Sequence, residues 1–259
     1  MGNFFADIHA LPASQLGGQP HGLADTTEVA SLRNAQTYEE LLDLGKALCF
    51  QLRYREAVEV YTKAIALKPQ DIRGYRQRAA RYLTTLRPEP AIRDFLRCQE
   101  LGGDEQDLSY RLGLCRYYAG DYEGAMLELE RCYPLCDEEM GIAAIFWHTL
   151  SAWRAGEQPA LLAQCYHPGM KVGHHTAYDF AMAVASGAHS LEEAKQRING
   201  ETDDLEYGIM AYGIAACLSA LGRDAEARTI LNQLLERDGF WISYAYLAAW
   251  NDTYREHTD

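Results

Sequence analysis

A step of 34 residues runs through the middle of this chain. It joins Ala57 to Ala91 and Ala125, Tyr61 to Phe95 and Leu129, and Ala64 to Cys98 and Cys132. Self-similarity at a fixed period of this size limits the fold more tightly than composition does. Each unit is a small supersecondary element that cannot cover its own apolar face, so neighbours must stack to build a continuous core.

Inside the echo the apolar residues follow a helical period. Leu41, Leu44, Gly45, Leu48 and Leu52 share one face at i, i+3, i+4, i+7 spacing. A break near Arg53-Tyr54 precedes a second helix carrying Ala57, Tyr61, Ala64 and Ile65. Lys68-Pro69 ends it, because proline lacks the N–H that the helix needs and clashes with the preceding turn. The second unit, 72–105, places Tyr75, Ala79 and Tyr82 on its first helix and Ala91, Phe95 and Cys98 on its second. Pro90 is expected at the first helical position of that second helix. The third unit, 106–139, repeats the plan with Leu112, Gly113 and Tyr117, then Ala125, Leu129 and Cys132. Gly45, Ala79 and Gly113 fall where the two helices of a hairpin come closest, and Tyr61, Phe95 and Leu129 are expected to fill the space beside them.

These three units resemble tetratricopeptide repeats, the 34-residue helix-turn-helix family. Leu41, Leu44-Gly45, Leu48, Ala57, Tyr61, Ala64 and Pro69 follow the family's pattern almost throughout, with Leu41 where the family favours Trp. The second unit departs at Arg78 and replaces the closing Pro with Gly103; the third has Ser109 near its start and closes on Asp137. The resemblance implies an all-α fold, a right-handed α-solenoid of stacked helix-turn-helix hairpins. The expected organisation is an arm or cap over 1–36, three regular repeats over 37–139, degenerate helical hairpins over 140–204, a further repeat over 205–239, and a capping helix over 240–259. Ser190 and Glu193 are spaced as a capping box. About a dozen helices are expected in all by extending the repeat logic. Phe4 and Phe5 are candidate anchors for the arm.

The family binds partners in a groove lined by the first helix of each hairpin. Carried onto this chain, the lining includes Lys46 and Phe50 from the first unit, Arg73 and Arg76 from the second, and Tyr110 and Tyr117 from the third. Cations beside aromatic rings suit an extended acidic peptide. The chaperone-tail-binding members of the family use Lys and Asn in a carboxylate clamp; here Lys46 stands where the Asn would be. Charge supports a directional field: residues 46–98 hold twelve basic against five acidic side chains, and residues 99–140 three against eleven. Arg78, Arg81, Arg93 and Arg97 are expected to solvate outer helix faces.

The whole chain carries a formal net charge of −13, which disfavours nucleic acid and anionic membrane as partners. No apolar run reaches the 18 or so residues of a membrane span. The N-terminal segment lacks a signal peptide's basic start, and Ala6 stands where a myristoylation motif needs Ser or Thr. Seven cysteines without a disulfide framework read as reduced thiols of a cytoplasmic protein. Cys165, His167, His174 and His175 lie close together in a loop, but their spacing matches no zinc motif and no metal is expected. No phosphate loop, dinucleotide fingerprint or His-Glu-x-x-His segment is present, so no catalytic residue and no cofactor is assigned. The apolar run 240–247 is either a self-association face for a homodimer or a cover for the solenoid's end. The function expected is a non-catalytic scaffold that binds a protein or peptide in its groove. The alternative is a regulatory sensor that takes a small peptide or metabolite inside the superhelix.

Overall fold

The structure, a computed structural model, describes residues 26–254. Phe4, Phe5 and Ala6 lie outside the described residues. Every regular element among the described residues is helical, and consecutive helices pack as stacked pairs, as the repeat pattern requires. The chain forms two compact units, one ending at Asp104 and one beginning at Glu105.

The first unit contains α1 (Thr26–Ser31), α2 (Tyr38–Phe50), α3 (Tyr54–Leu67), α4 (Ile72–Thr84) and α5 (Pro88–Glu100). Helix α2 packs on α3, α3 on α4, and α4 on α5. Helix α2 opens on a capping box. Thr37 Oγ1 accepts from the Glu40 N–H at 3.3 Å, and Glu40 Oε2 accepts from the Thr37 N–H at 3.0 Å. Together they satisfy two donors that a helix start leaves free. Asp71 caps α4 through the Arg73 N–H at 3.0 Å. Helix α5 begins at Pro88, two residues ahead of the Pro90 start expected from sequence. Pro88 suits that position because its missing N–H would have had no helical partner.

The second unit contains α6 (Glu105–Ala119), α7 (Tyr122–Cys132), a 3-10 turn (Tyr133–Leu135), α8 (Glu138–Ala155), α9 (Ala160–Cys165), α10 (Thr176–Ala185), α11 (Leu191–Asn199), α12 (Asp204–Ala220), α13 (Asp224–Glu236) and α14 (Tyr244–Tyr254). Helix α8 is its centre. It packs against α7, α9, α10, α12 and α6, and every residue from Gly141 to Ala152 is buried. A helix covered on all sides needs no polar stripe. The Ser190–Glu193 capping box expected from sequence opens α11, with N–H···O distances of 3.2 and 2.7 Å.

The close approaches read from the repeat are present. A Cβ added at Gly45 would overlap the Tyr61 ring, and one at Gly113 would lie 2.7 Å from Leu129 Cγ. Ala79 and Phe95, at the same repeat positions, are fully buried. The turn between paired helices is also periodic. Leu52, Leu86 and Gly120 all adopt positive φ, at 60°, 50° and 82°. In each case the next residue's N–H reaches five residues back: Arg53 to Leu48, Arg87 to Tyr82 and Asp121 to Arg116, at 2.8–2.9 Å. This is a Schellman closure, which answers carbonyls left open at a helix end.

Candidate functional site

In the first unit the face expected to meet a partner is divided between ion pairs and an open patch. Tyr38 anchors the paired part. Its hydroxyl accepts the Gly74 N–H at 3.1 Å, and Lys68 and Arg73 lie over its ring at 4.7 and 5.1 Å. Burial, reinforced by Asp71, pushes the Tyr38 hydroxyl's pKa up to about 12. Arg73 is bound to Asp71 at 2.8 Å and to Glu39 at 2.9 Å. Its guanidinium hydrogen bonds hold both carboxylates below their usual pKa range. Arg73 therefore answers carboxylates of its own chain, which distinguishes it from the free anion-pairing group the sequence suggests.

The open part lies on α2. Lys46 is exposed, and its ammonium sits 6.0 Å from the centre of the Phe50 ring, which is itself 37% exposed. A large aromatic ring left in water beside a cation is a ready contact for an apolar or acidic group. Arg76 lies half-buried on α4.

Arg78 and Arg81 are not the solvated residues expected from sequence. Arg78 makes a two-pronged pair with Asp94, both contacts 2.7 Å, and both side chains are largely buried between α4 and α5. A further N–H of Arg78 donates to Thr62 Oγ1 at 3.0 Å. Arg81 lies 5.2 Å from the Tyr54 ring centre. The pairing could not be read from a charge run because Asp94 is sixteen residues away, on the facing helix.

The second unit treats the same face differently. Leu114 and Tyr118 stand 68 residues after Lys46 and Phe50, at the matching repeat positions. Leu114 is fully buried and Tyr118 is 1% exposed. The chain's own α14 bonds to Tyr118 from both ends of that residue. Tyr118 donates its hydroxyl to the Tyr244 carbonyl at 2.8 Å, and Asn251 Nδ2 donates to the Tyr118 carbonyl at 3.1 Å. Arg111 reaches the Tyr244 hydroxyl at 3.3 Å.

Tyr117 is likewise internal, a correction to its expected partner-facing role. Its hydroxyl meets that of Tyr212 at 2.6 Å, its ring lies 5.3 Å from Trp147, and burial drives its pKa upward. Tyr110 is half-buried, and burial raises its hydroxyl pKa too. Sequence could not see this, because an aromatic at a lining position looks the same whether a partner or the chain itself covers it.

The run 240–247 serves the same end. Trp241, Ala245, Tyr246 and Leu247 are buried, and α14, which carries the last three, packs against α12 and α13. Those side chains cover their own repeats, as the second of the two readings of this run expects.

The Cys165–His175 loop is tied to the start of α8 by hydrogen bonds. His174 Nδ1 lies 2.8 Å from Glu139 Oε1, and His175 Nδ1 lies 2.6 Å from the Glu139 carbonyl. Glu138 accepts the Lys171 N–H at 2.6 Å. Among the described residues no three His, Cys, Asp or Glu side chains converge on a metal-sized site. No helix among them is long and apolar enough to cross a membrane.

Paired helices, periodic αL turns and small-against-large contacts define a helical-repeat protein. The tetratricopeptide repeat family model matches residues 107–134 and 211–238, which fall on α6–α7 and α12–α13. Those two hairpins match the tetratricopeptide repeat. A crystal structure of YrrB, described as a TPR protein with an unusual peptide-binding site, is similar at 14% identity, covering 88% of this chain and 98% of that one, with a TM-score of 0.46.

Proposed function

We propose that this protein is a non-catalytic binding module whose first unit captures an acidic segment of a partner protein. One observation carries the reading. In the second unit Leu114 and Tyr118 are buried and the chain's own α14 bonds to Tyr118, while the matching positions of the first unit, Lys46 and Phe50, are exposed. The two units thus supply the same architecture in a filled and an open form. The open form exchanges a buried aliphatic side chain for an ammonium, so its occupant should bring negative charge. Phe50 supplies apolar contact, and Lys46, with Arg76 from the neighbouring first helix, supplies the cationic side. The binding mode is a groove that receives a helix or an extended segment through a few anchors.

The test is affinity capture from the source cells with the intact chain and with Lys46→Glu/Phe50→Ala. Both side chains are exposed, so the variant should keep its fold. A specific partner should be held by the intact chain and bound at least about tenfold more weakly by the variant, a loss near 1.4 kcal/mol. Equal capture by both would remove the first-unit face from the mechanism.

A further inference from the structure

Where α7 ends, two thiols face each other. Cys132 and Cys136 have their sulfurs 3.6 Å apart and both are reduced. The three residues between them form the 3-10 turn, which folds the chain back so that Cys136 N–H donates to the Tyr133 carbonyl at 3.0 Å.

The two sulfurs have unlike surroundings. Cys132 is fully buried, and its sulfur lies 3.5 Å from the Gln106 carbonyl. Cys136 is only half-buried; its sulfur accepts from Gln106 Nε2 at 3.4 Å and its thiol donates to the Cys132 carbonyl at 3.3 Å. It immediately precedes Asp137, the N-cap of the 18-residue α8, so it sits at the positive end of the longest helix in the second unit. The Cys132 thiol and the Gln106 amide, both donating to it, hold the Cys136 pKa below the ordinary thiol value against burial and the Asp137 carboxylate. The same contact and burial push Cys132 upward. One sulfur is thus partly accessible and shifted toward the thiolate, and the other is a buried thiol 3.6 Å behind it.

We propose that Cys132 and Cys136 form a redox-active dithiol that a peroxide converts into an intrachain disulfide. In the first step the Cys136 thiolate attacks one oxygen of the hydroperoxide. The O–O bond breaks, the remaining oxygen leaves as water or an alcohol after taking up a proton, and Cys136 becomes a sulfenic acid. In the second step the Cys132 sulfur attacks the Cys136 sulfur. The S–O bond breaks, and the departing hydroxide leaves as water with the Cys132 proton. The two sulfurs together lose two electrons and the peroxide gains them. A thiol reductant reverses the bond by exchange. The other cysteines lack this arrangement: Cys98, Cys115 and Cys217 are buried, and burial raises the pKa of Cys49, Cys115 and Cys217.

The test treats the full chain with hydrogen peroxide, blocks remaining thiols with N-ethylmaleimide and maps tryptic peptides. Cys132 and Cys136 fall in one peptide, 132–154, because no Lys or Arg lies between Arg131 and Arg154. That peptide should lose two hydrogens and take no label, and dithiothreitol before blocking should restore two labels. Cys132→Ser should stop at a Cys136 sulfenic acid that dimedone traps; Cys136→Ser should give no trapped species at Cys132. In the untreated chain, iodoacetamide at neutral pH should label Cys136 about tenfold faster than the equally half-buried Cys165. A doubly labelled 132–154 peptide after peroxide, or a bond from Cys136 to Cys165, would overturn the proposal, and the wild-type map decides this even if a variant folds poorly.

Discussion

The hydroxyls of Tyr117 and Tyr212 meet at 2.6 Å, joining helices 95 residues apart in sequence. Tyr212 stands between two partners, because its hydroxyl also reaches Asp252 at 2.8 Å, and Asp252 is paired with Arg154. The chain thereby links α6, α12, α14 and α8 through polar atoms in an otherwise aromatic interior. Tyr212→Phe keeps the ring and removes the bridge, leaving the Tyr117 hydroxyl buried without that partner. A cost of about 1–3 kcal/mol is expected, the range for orphaning a buried polar group. All four tryptophans lie in the second unit, so tryptophan fluorescence in urea reports the unfolding of this unit. An unchanged midpoint would mean that the two hydroxyls do not support each other.

The contact between Gly113 and Leu129 makes a second, opposite kind of prediction. A Cβ on Gly113 would stand 2.7 Å from Leu129 Cγ, so close that the Leu129 side chain or one of the helices must shift. Gly113→Ala should destabilise the second unit by about 1–3 kcal/mol, the usual result of overpacking, despite alanine's better helix propensity. Adding Leu129→Ala should recover part of that loss, because it removes the atoms that the new methyl meets. If the double variant is no better than the sum of the two single losses, the contact does not set the helix spacing.

These two contacts differ in how visible they are in sequence, and the difference is physical. Gly113 and Leu129 belong to a pattern that also contains Gly45 with Tyr61 and Ala79 with Phe95, so the 34-residue step announces them. Tyr117 with Tyr212 breaks the pattern: it arises because the C-terminal helices fold onto the face of α6, which no local period records. Helix α8 hides its central place in the second unit for a related reason. Its residues Gly141–Ala152 are buried all round, so the apolar stripe that betrays a surface helix is missing. On the candidate face, the residue types were legible at Lys46 and Phe50, but sequence gave no means to tell an open position from one the chain fills itself. Arg73 and Arg78 looked like free charge because their partners, Glu39 and Asp94, lie on other helices.

The Arg78–Asp94 pair gives a prediction for the first unit. Both side chains are withdrawn from water and joined by two 2.7 Å contacts. Removing one partner leaves a charge without compensation, so Asp94→Ala should cost about 3–5 kcal/mol. Replacing both with apolar residues, as in Arg78→Met/Asp94→Leu, should cost far less, because the desolvation of both charges is removed along with their attraction. Hydrogen exchange of peptides from α4 and α5 reads this without a tryptophan. Equal protection in the single and double variants would show that the pair is energetically idle.

The burial of His148 gives a prediction for the second unit's response to acid. The imidazole is 1% exposed, and its Nε2 lies 3.1 Å from Glu130. Burial lowers its pKa from 6.5, and the Glu130 contact opposes this without cancelling it. Between 6.5 and the lower folded value, the unfolded chain binds a proton that the folded chain excludes. Stability from this group is therefore complete above the unfolded pKa and falls as pH falls through the folded one. The tryptophan-monitored urea midpoint should drop from pH 7 to pH 5, ahead of the window in which ordinary carboxylates titrate. In His148→Gln the midpoint should be lower at pH 7 but nearly level across that range. A wild-type midpoint that rises on acidification, or a slope that survives in His148→Gln, would mean that the proton is taken up elsewhere.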